Sequence, residues 1–224
     1  MINLAPQGAD DEPRLKRHKL RIATPGGRME VVIDDPVAER KGLILIAHPH
    51  PLQGGSLDNK VVHTLARTAT DHGYVAVRPN FRGVGLSEGE YDHGQGEVED
   101  MLAIMEFVSN NYPELKWRLA GFSFGAFVQH QLAKRMETGR MEAGHTETDC
   151  VLLVAPAVNL YTFGAPASGV RMIHGDQDEV VPFADAQAWA AQFNVPLTVV
   201  PGAGHFFHGR LKDLSTLTTS LCQL

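Results

Sequence analysis

The chain has 224 residues, 43% of them hydrophobic, and carries 20 Lys and Arg against 26 Asp and Glu for a net charge of −6. That length suits one domain, residues 1–224, with an ample core. The acidic balance argues against nucleic acid or anionic membrane surfaces as partners, and no apolar run reaches the length of a membrane span.

Residues 1–13 are polar and acidic, read as a flexible start, and lack the basic-then-apolar design of a signal peptide. The basic cluster Arg14 to Arg21 is short and reads as solvated chain. Two strands are expected around Lys19–Thr24 and Arg28–Ile33, joined at Pro25-Gly26-Gly27, a strong turn signal. Gly42–Ala47 is continuously apolar, the pattern of a strand buried on both faces. Asp58 to Thr70 carries Val61, Val62, Leu65, Ala66 and Ala69 at helical spacing, with Asp58 as its cap. Tyr74–Val77 is the next strand, and Glu97 to Ser109 a helix with Val98, Met101, Leu102, Met105 and Val108 on one stripe. Leu115–Ala120 reads as a strand and Ala126–Met136 as a helix. Glu137 to Asp149 is polar, contains Gly139 and Gly144, and reads as a surface loop. Cys150–Ala155 and Val170–His174 are buried strands, Phe183–Phe193 a helix and Leu197–Val200 a strand. Phe207, Leu211, Leu214 and Leu221 lie along a terminal helix.

Strands alternating with helices predict an α/β fold: a mostly parallel sheet with helices on both faces and function at the carboxyl ends of the strands. The two cysteines, Cys150 and Cys222, cannot build a disulfide framework and suggest a reducing compartment, hence the cytoplasm. Cys150 reads as a small buried hydrophobe.

The chemistry concentrates at Gly121-Phe122-Ser123-Phe124-Gly125, between a predicted strand and a predicted helix. A G-x-S-x-G at such a joint is a nucleophile elbow. The turn is too tight for side chains two residues either way, so both neighbours are glycine. It lifts the hydroxyl off the sheet and aims the Phe124 N–H at the position of a tetrahedral oxyanion. Gly85-Leu-Ser87-Glu-Gly89 has the same letters but lies in a glycine-rich polar run, so Ser87 reads as a loop serine. An activated serine needs a base and an orienting carboxylate. In chain order an acid follows in His174-Gly-Asp176-Gln-Asp178-Glu-Val-Val-Pro182, then a histidine in Pro201-Gly-Ala-Gly-His205-Phe-Phe-His208. His205 follows the glycine loop and is preferred to His208.

Gly121–Gly125, His174-Gly-x-x-Asp178-x-Val-Val-Pro182, Gly202-Ala-Gly-His205-Phe-Phe and Asn80-Phe-Arg82-Gly83-Val-Gly85-Leu-Ser87-x-Gly89 resemble α/β-hydrolase signatures. With His48-Pro-His-Pro51-x-x-Gly54-Gly55 and Asp58-Asn-Lys60, the chain is similar to small lidless bacterial carboxylesterases and thioesterases of that superfamily. The resemblance implies Ser123, Asp178 and His205 as catalytic residues and no cofactor or metal. It selects Asp178 over Asp176, which otherwise reads as a turn aspartate capping its own backbone. It places Arg82 and Ser87 in a structural loop. It also implies a second oxyanion donor in the loop after the third strand. Pro49 and Pro51 have no N–H, which leaves His50 and Leu52, and His50 matches the family position. His48 reads as a buttress of that loop, and Gly54-Gly55 as room for close backbone approach. Leu52, Phe122, Tyr91 and Phe206 are candidate substrate contacts, and Phe124 and Tyr161 could also line an acyl pocket, although core packing is the commoner use of aromatics. Residues 159–168 are too few for a helical lid, which predicts an open site.

The expected function is hydrolysis of small or medium acyl esters or thioesters through an acyl-enzyme, with a small-molecule ester or thioester as substrate, no nucleic acid or membrane as partner, and the oligomeric state open. Two rivals stand beside it. His48-x-His50 and His205-x-x-His208 could be metal ligands, but zinc needs three or four converging groups. A binding protein that keeps the fold without catalysis would not need all three positions filled.

Overall fold

The computed structural model describes residues 15–37, 39–138 and 148–224. The expectations for residues 1–13, for Arg14, and for Gly139 and Gly144 in the polar loop lie outside them. One eight-stranded sheet runs in the order β1-β2-β4-β3-β5-β6-β7-β8. β1 (Lys16–Thr24) and β2 (Gly27–Asp35) form a hairpin, and β2 pairs antiparallel with β4. The remaining strands run parallel: β3 (Gly42–Ala47), β4 (Tyr74–Pro79), β5 (Trp117–Phe122), β6 (Thr148–Val154), β7 (Val170–Gly175) and β8 (Leu197–Val200). The helices are α1 (Lys60–Asp71), α2 (Gln95–Asn111), α3 (Phe124–Glu137), α4 (Phe183–Gln192) and α5 (Leu211–Cys222).

The apolar runs are explained by burial on two sides. Successive side chains of a strand point to opposite faces. Leu43, Leu45, Val75, Val77, Leu119, Val151 and Leu153 therefore pack on one face against Met101, Ile104 and Met105 of α2 and Leu132 of α3. Ile44, Ile46, Ala76, Ala120, Leu152 and Val154 pack on the other against Val61 and Leu65 of α1 and Leu214 of α5. A fully buried side chain of this size stabilises the fold by about 1.5–3 kcal/mol.

The order of strands also places the site. From β3 the chain crosses through α1 to β4 on one side, then returns through α2 to β5 on the other. A crossover of constant hand that reverses direction puts its helices on opposite faces, as α1 and α2 are. The crevice between the carboxyl ends of β3 and β5 is the switch point where such sheets bind ligands.

Four local expectations are corrected. β1 begins at Lys16, within the run read as solvated chain. It is an edge strand whose charged side chains mostly face water, so no apolar run marks it. The cap of α1 is Asn59, whose Oδ1 accepts from Val61 N–H at 2.9 Å, one residue after Asp58. Phe207 has φ 52° in a turn before α5, which starts at Leu211. Cys150 is buried as expected, but it is joined to Cys222 in a disulfide that links β6 to α5 across 72 residues. The premise of a reducing compartment therefore falls. Among the described residues, no helix is long and apolar enough to cross a membrane.

Candidate active site

β5 ends at Phe122 and α3 starts at Phe124, so Ser123 alone makes the turn, at φ 57° and ψ −115°. A non-glycine residue persists there only when its surroundings hold it, at a cost of about 1–3 kcal/mol. Its N–H donates to Val154 O at 2.9 Å, and its carbonyl accepts from Ala126 N–H at 3.0 Å. The flanking glycines are sterically required. A Cβ on Gly121 would lie 2.3 Å from Gly125 O, and one on Gly125 would lie 2.3 Å from Ala47 O.

His205, from the loop after β8, sets Nε2 3.0 Å from the Ser123 Oγ and Nδ1 2.8 Å from the Asp178 Oδ2. Asp178 follows β7, and its Oδ1 accepts from Val180 N–H at 2.9 Å and Val181 N–H at 2.7 Å. Burial alone would raise its pKa; the bonds from His205 and the two N–H groups outweigh that and hold it below the usual carboxylate range. The ionised carboxylate fixes the proton on the His205 Nδ1, which leaves the Nε2 lone pair for the serine proton. Behind it, His174 donates from Nε2 to Val181 O at 2.9 Å, and burial keeps its pKa low.

The acid and histidine loops are bonded to each other at successive positions. Asp176 Oδ1 accepts from Gly202 N–H at 2.6 Å, Gln177 N–H donates to Ala203 O at 3.0 Å, and Asp178 meets His205. Asp176 is thus a clamp on the histidine loop rather than a cap of its own turn. His208 is exposed, with its ring against Phe206.

The expected oxyanion donors flank the serine. Phe124 opens α3, where the first N–H groups have no partner within the helix. Leu52 N–H is taken by the His50 Nδ1 at 3.1 Å, which removes it as an oxyanion donor and leaves His50. Among the described residues no acceptor engages the backbone N–H of Phe124 or of His50. His48 is the expected buttress. It accepts from Phe81 N–H at Nε2 (2.9 Å), so Nδ1 carries the proton and donates to Pro49 O at 2.6 Å. Burial pushes its pKa down to about 3. Both ring nitrogens are occupied, so His48 has no lone pair to give a metal. Among the described residues, no group of three or more His, Cys, Asp or Glu is gathered to hold one. Gly55 lies under the loop, where a Cβ would meet Pro49 O at 2.1 Å; Gly54 has open space and is needed for its φ of 78°.

Ser87 donates to Asn80 O and accepts from Glu30 N–H, both at 2.9 Å, and pins its loop to β2. Arg82 holds Asp100 at 2.8 Å and Gly96 O at 2.9 Å. Both are structural, as the sequence suggests.

A cleft of about 130 Å³ opens over Ser123. Of the four expected substrate contacts only Phe206 lines it. Leu52 stands 73% exposed outside the lining, Phe122 is buried beneath His205 with ring centroids 5.0 Å apart, and Tyr91 packs behind His50. Tyr161 does line the cleft, its hydroxyl 3.3 Å from that of Tyr91. Leu160 and Val180 also line it and were missed, because irregular loops carry no periodicity to mark them. No Lys, Arg, Asp or Glu is among the described residues lining the cleft.

The model of the X-Pro dipeptidyl-peptidase (S15) family matches residues 25–191. The chain belongs to that family. Over 205 residues this S15 member is 33% identical to an uncharacterized protein of Rickettsia prowazekii, covering 85% of this chain and 82% of the other. Among solved structures it is similar to an α/β serine hydrolase without a lid from Xanthomonas campestris, at 32% identity and a TM-score of 0.84 over 93% and 94% of the two chains. A serine hydrolase homologue from Coxiella burnetii matches at 40% identity and a TM-score of 0.80, over 91% and 96%. The chain is thus a lidless member of the α/β hydrolases, and among the described residues no helix or strand stands between β6 and β7.

Proposed function

We propose that this hydrolase cleaves esters or thioesters of small or medium acyl groups through an acyl-enzyme. Ser123 attacks the carbonyl, His205 takes its proton and returns it to the leaving group, and Asp178 orients the imidazole and stabilises its charge. The backbone N–H groups of Phe124 and His50 receive the oxyanion. One observation carries the reading: the unbroken hydrogen-bonded chain from Ser123 through His205 to Asp178, at 3.0 and 2.8 Å.

The family's description raises a second reading, release of dipeptides from a free amino terminus. A free α-ammonium in a small cleft calls for a carboxylate partner, and the described lining supplies none. That favours uncharged esters. A cytoplasmic location, expected from a cysteine count too small for a disulfide framework, loses that support once Cys150 and Cys222 are joined.

The test is a panel of nitrophenyl esters, acyl thioesters and an X-Pro nitroanilide, with fluorophosphonate labelling of wild type and Ser123→Ala. Ester or thioester turnover with label on Ser123 supports the proposal. Turnover of the nitroanilide alone assigns the peptidase reading. An unlabelled, inactive protein overturns both.

A further inference from the structure

The described residues leave seven large hydrophobic side chains exposed. Three of them, Leu160 (60%), Val180 (40%) and Phe206 (41%), line the cleft over Ser123. They arrive from separate segments: the stretch after β6, the acid loop and the histidine loop. Exposed apolar side chains scattered singly need no explanation, whereas a group at the mouth of a site marks a binding surface. The group is also held in place. Asn159 Nδ2 donates to Val180 O at 3.1 Å and ties the Leu160 segment to the acid loop. Phe206 rests edge-on against buried Phe122, with ring centroids 5.9 Å apart.

The cleft itself is small. About 130 Å³ is well under the roughly 300–1,000 Å³ of pockets that enclose a drug-sized ligand. It takes the reacting carbonyl and a short head, and any longer chain has to leave it across its mouth. We propose that Leu160, Val180 and Phe206 form an open apolar rim that binds the chain of a medium-length acyl group, about C6 to C10, along one side. The inference rests on the ester reading above and names its substrate class.

Full burial of a methylene contributes about 0.8 kcal/mol, or roughly fourfold in an equilibrium constant. A rim covers one side of the chain, so about twofold per methylene is expected. The kcat/KM of nitrophenyl octanoate should exceed that of the butyrate by about 15-fold, with both esters kept below micelle formation. The double variant Leu160→Asn/Val180→Thr should bring that ratio close to one. Leu86→Asn, at an exposed leucine outside the cleft lining, should leave it unchanged and serves as the control. A wild-type ratio of one or less, or a double variant that keeps the wild-type ratio, overturns the rim while butyrate turnover preserves the esterase reading. Absence of all ester turnover overturns both. A flat ratio, together with a solution dimer that the double variant dissolves, would assign the rim to a second copy of the chain and overturn the proposal.

Discussion

The α-carbon of Gly125 lies so close to the Ala47 carbonyl that a methyl group there would sit 2.3 Å from the oxygen. This contact joins the turn that carries the serine to the end of β3, from which the oxyanion loop departs. Gly125→Ala must push the two apart. It should cost more than about 2 kcal/mol in urea unfolding, as overpacking against backbone does, and lower ester turnover steeply. A Gly125→Ala protein with wild-type kcat would show that the close approach is not needed.

The two G-x-S-x-G serines should separate cleanly. Ser123→Ala removes the attacking oxygen and should abolish turnover and fluorophosphonate labelling. Ser87→Ala leaves the Glu30 N–H without its acceptor, so it should cost about 1–3 kcal/mol of stability and leave kcat within a few-fold.

The two aspartates should differ as well. Asp178→Asn replaces an ionised orienting acid and should lower kcat by about 10⁴-fold. Asp176→Asn keeps an oxygen for the Gly202 N–H, and its loss should stay within about tenfold. Equal losses in steady-state assays would leave the acid unassigned.

His50 offers a test of a backbone donor. Its φ is −51°, within reach of proline. His50→Ala removes the ring and keeps the N–H, whereas His50→Pro removes the N–H. The proline variant should fall a further 10²–10³-fold in kcat, about the worth of one oxyanion donor. Equal rates for the two would place the donor elsewhere.

Stability should fall in mild acid. An unfolded histidine takes up its proton near pH 6.5, but burial holds His48 to about 3 and His130 to about 4. The folded state refuses protons that the unfolded chain accepts, so stability is lost as pH drops from about 6.5 toward those values. Each group contributes at most about 1.4 kcal/mol per pH unit. Asp178 has a depressed carboxylate pKa, so its contribution is present above about pH 3.9, the unfolded value, and is lost only below that. Urea unfolding between pH 7 and 4.5 checks the slope, which His130→Gln should reduce by about one proton.

The central strands and the serine were legible because burial on both faces writes a continuous apolar run, and a one-residue turn forces its two glycines. An acid and a histidine were legible as polar residues in short loops at strand ends, in an order the fold requires, but only the family resemblance separated Asp178 from Asp176. The pairing of Cys150 with Cys222 was not legible, since it depends on where the end of α5 lies against β6. Phe122 and Tyr91 stayed open between cleft and core because aromatic type does not reveal facing; Phe122 points into the core under His205. Leu160 and Val180 escaped notice for the opposite reason: isolated apolar residues in irregular segments look incidental until three segments converge.

The rungs between residues 176–178 and 202–205 carry a mechanical consequence. His205 and Asp178 are fastened to each other on the outer strands, while Ser123 stands on its own turn at the end of β5. Heat or denaturant that parts the two loops from that turn would end the proposed catalysis while the imidazole and its carboxylate stayed clasped.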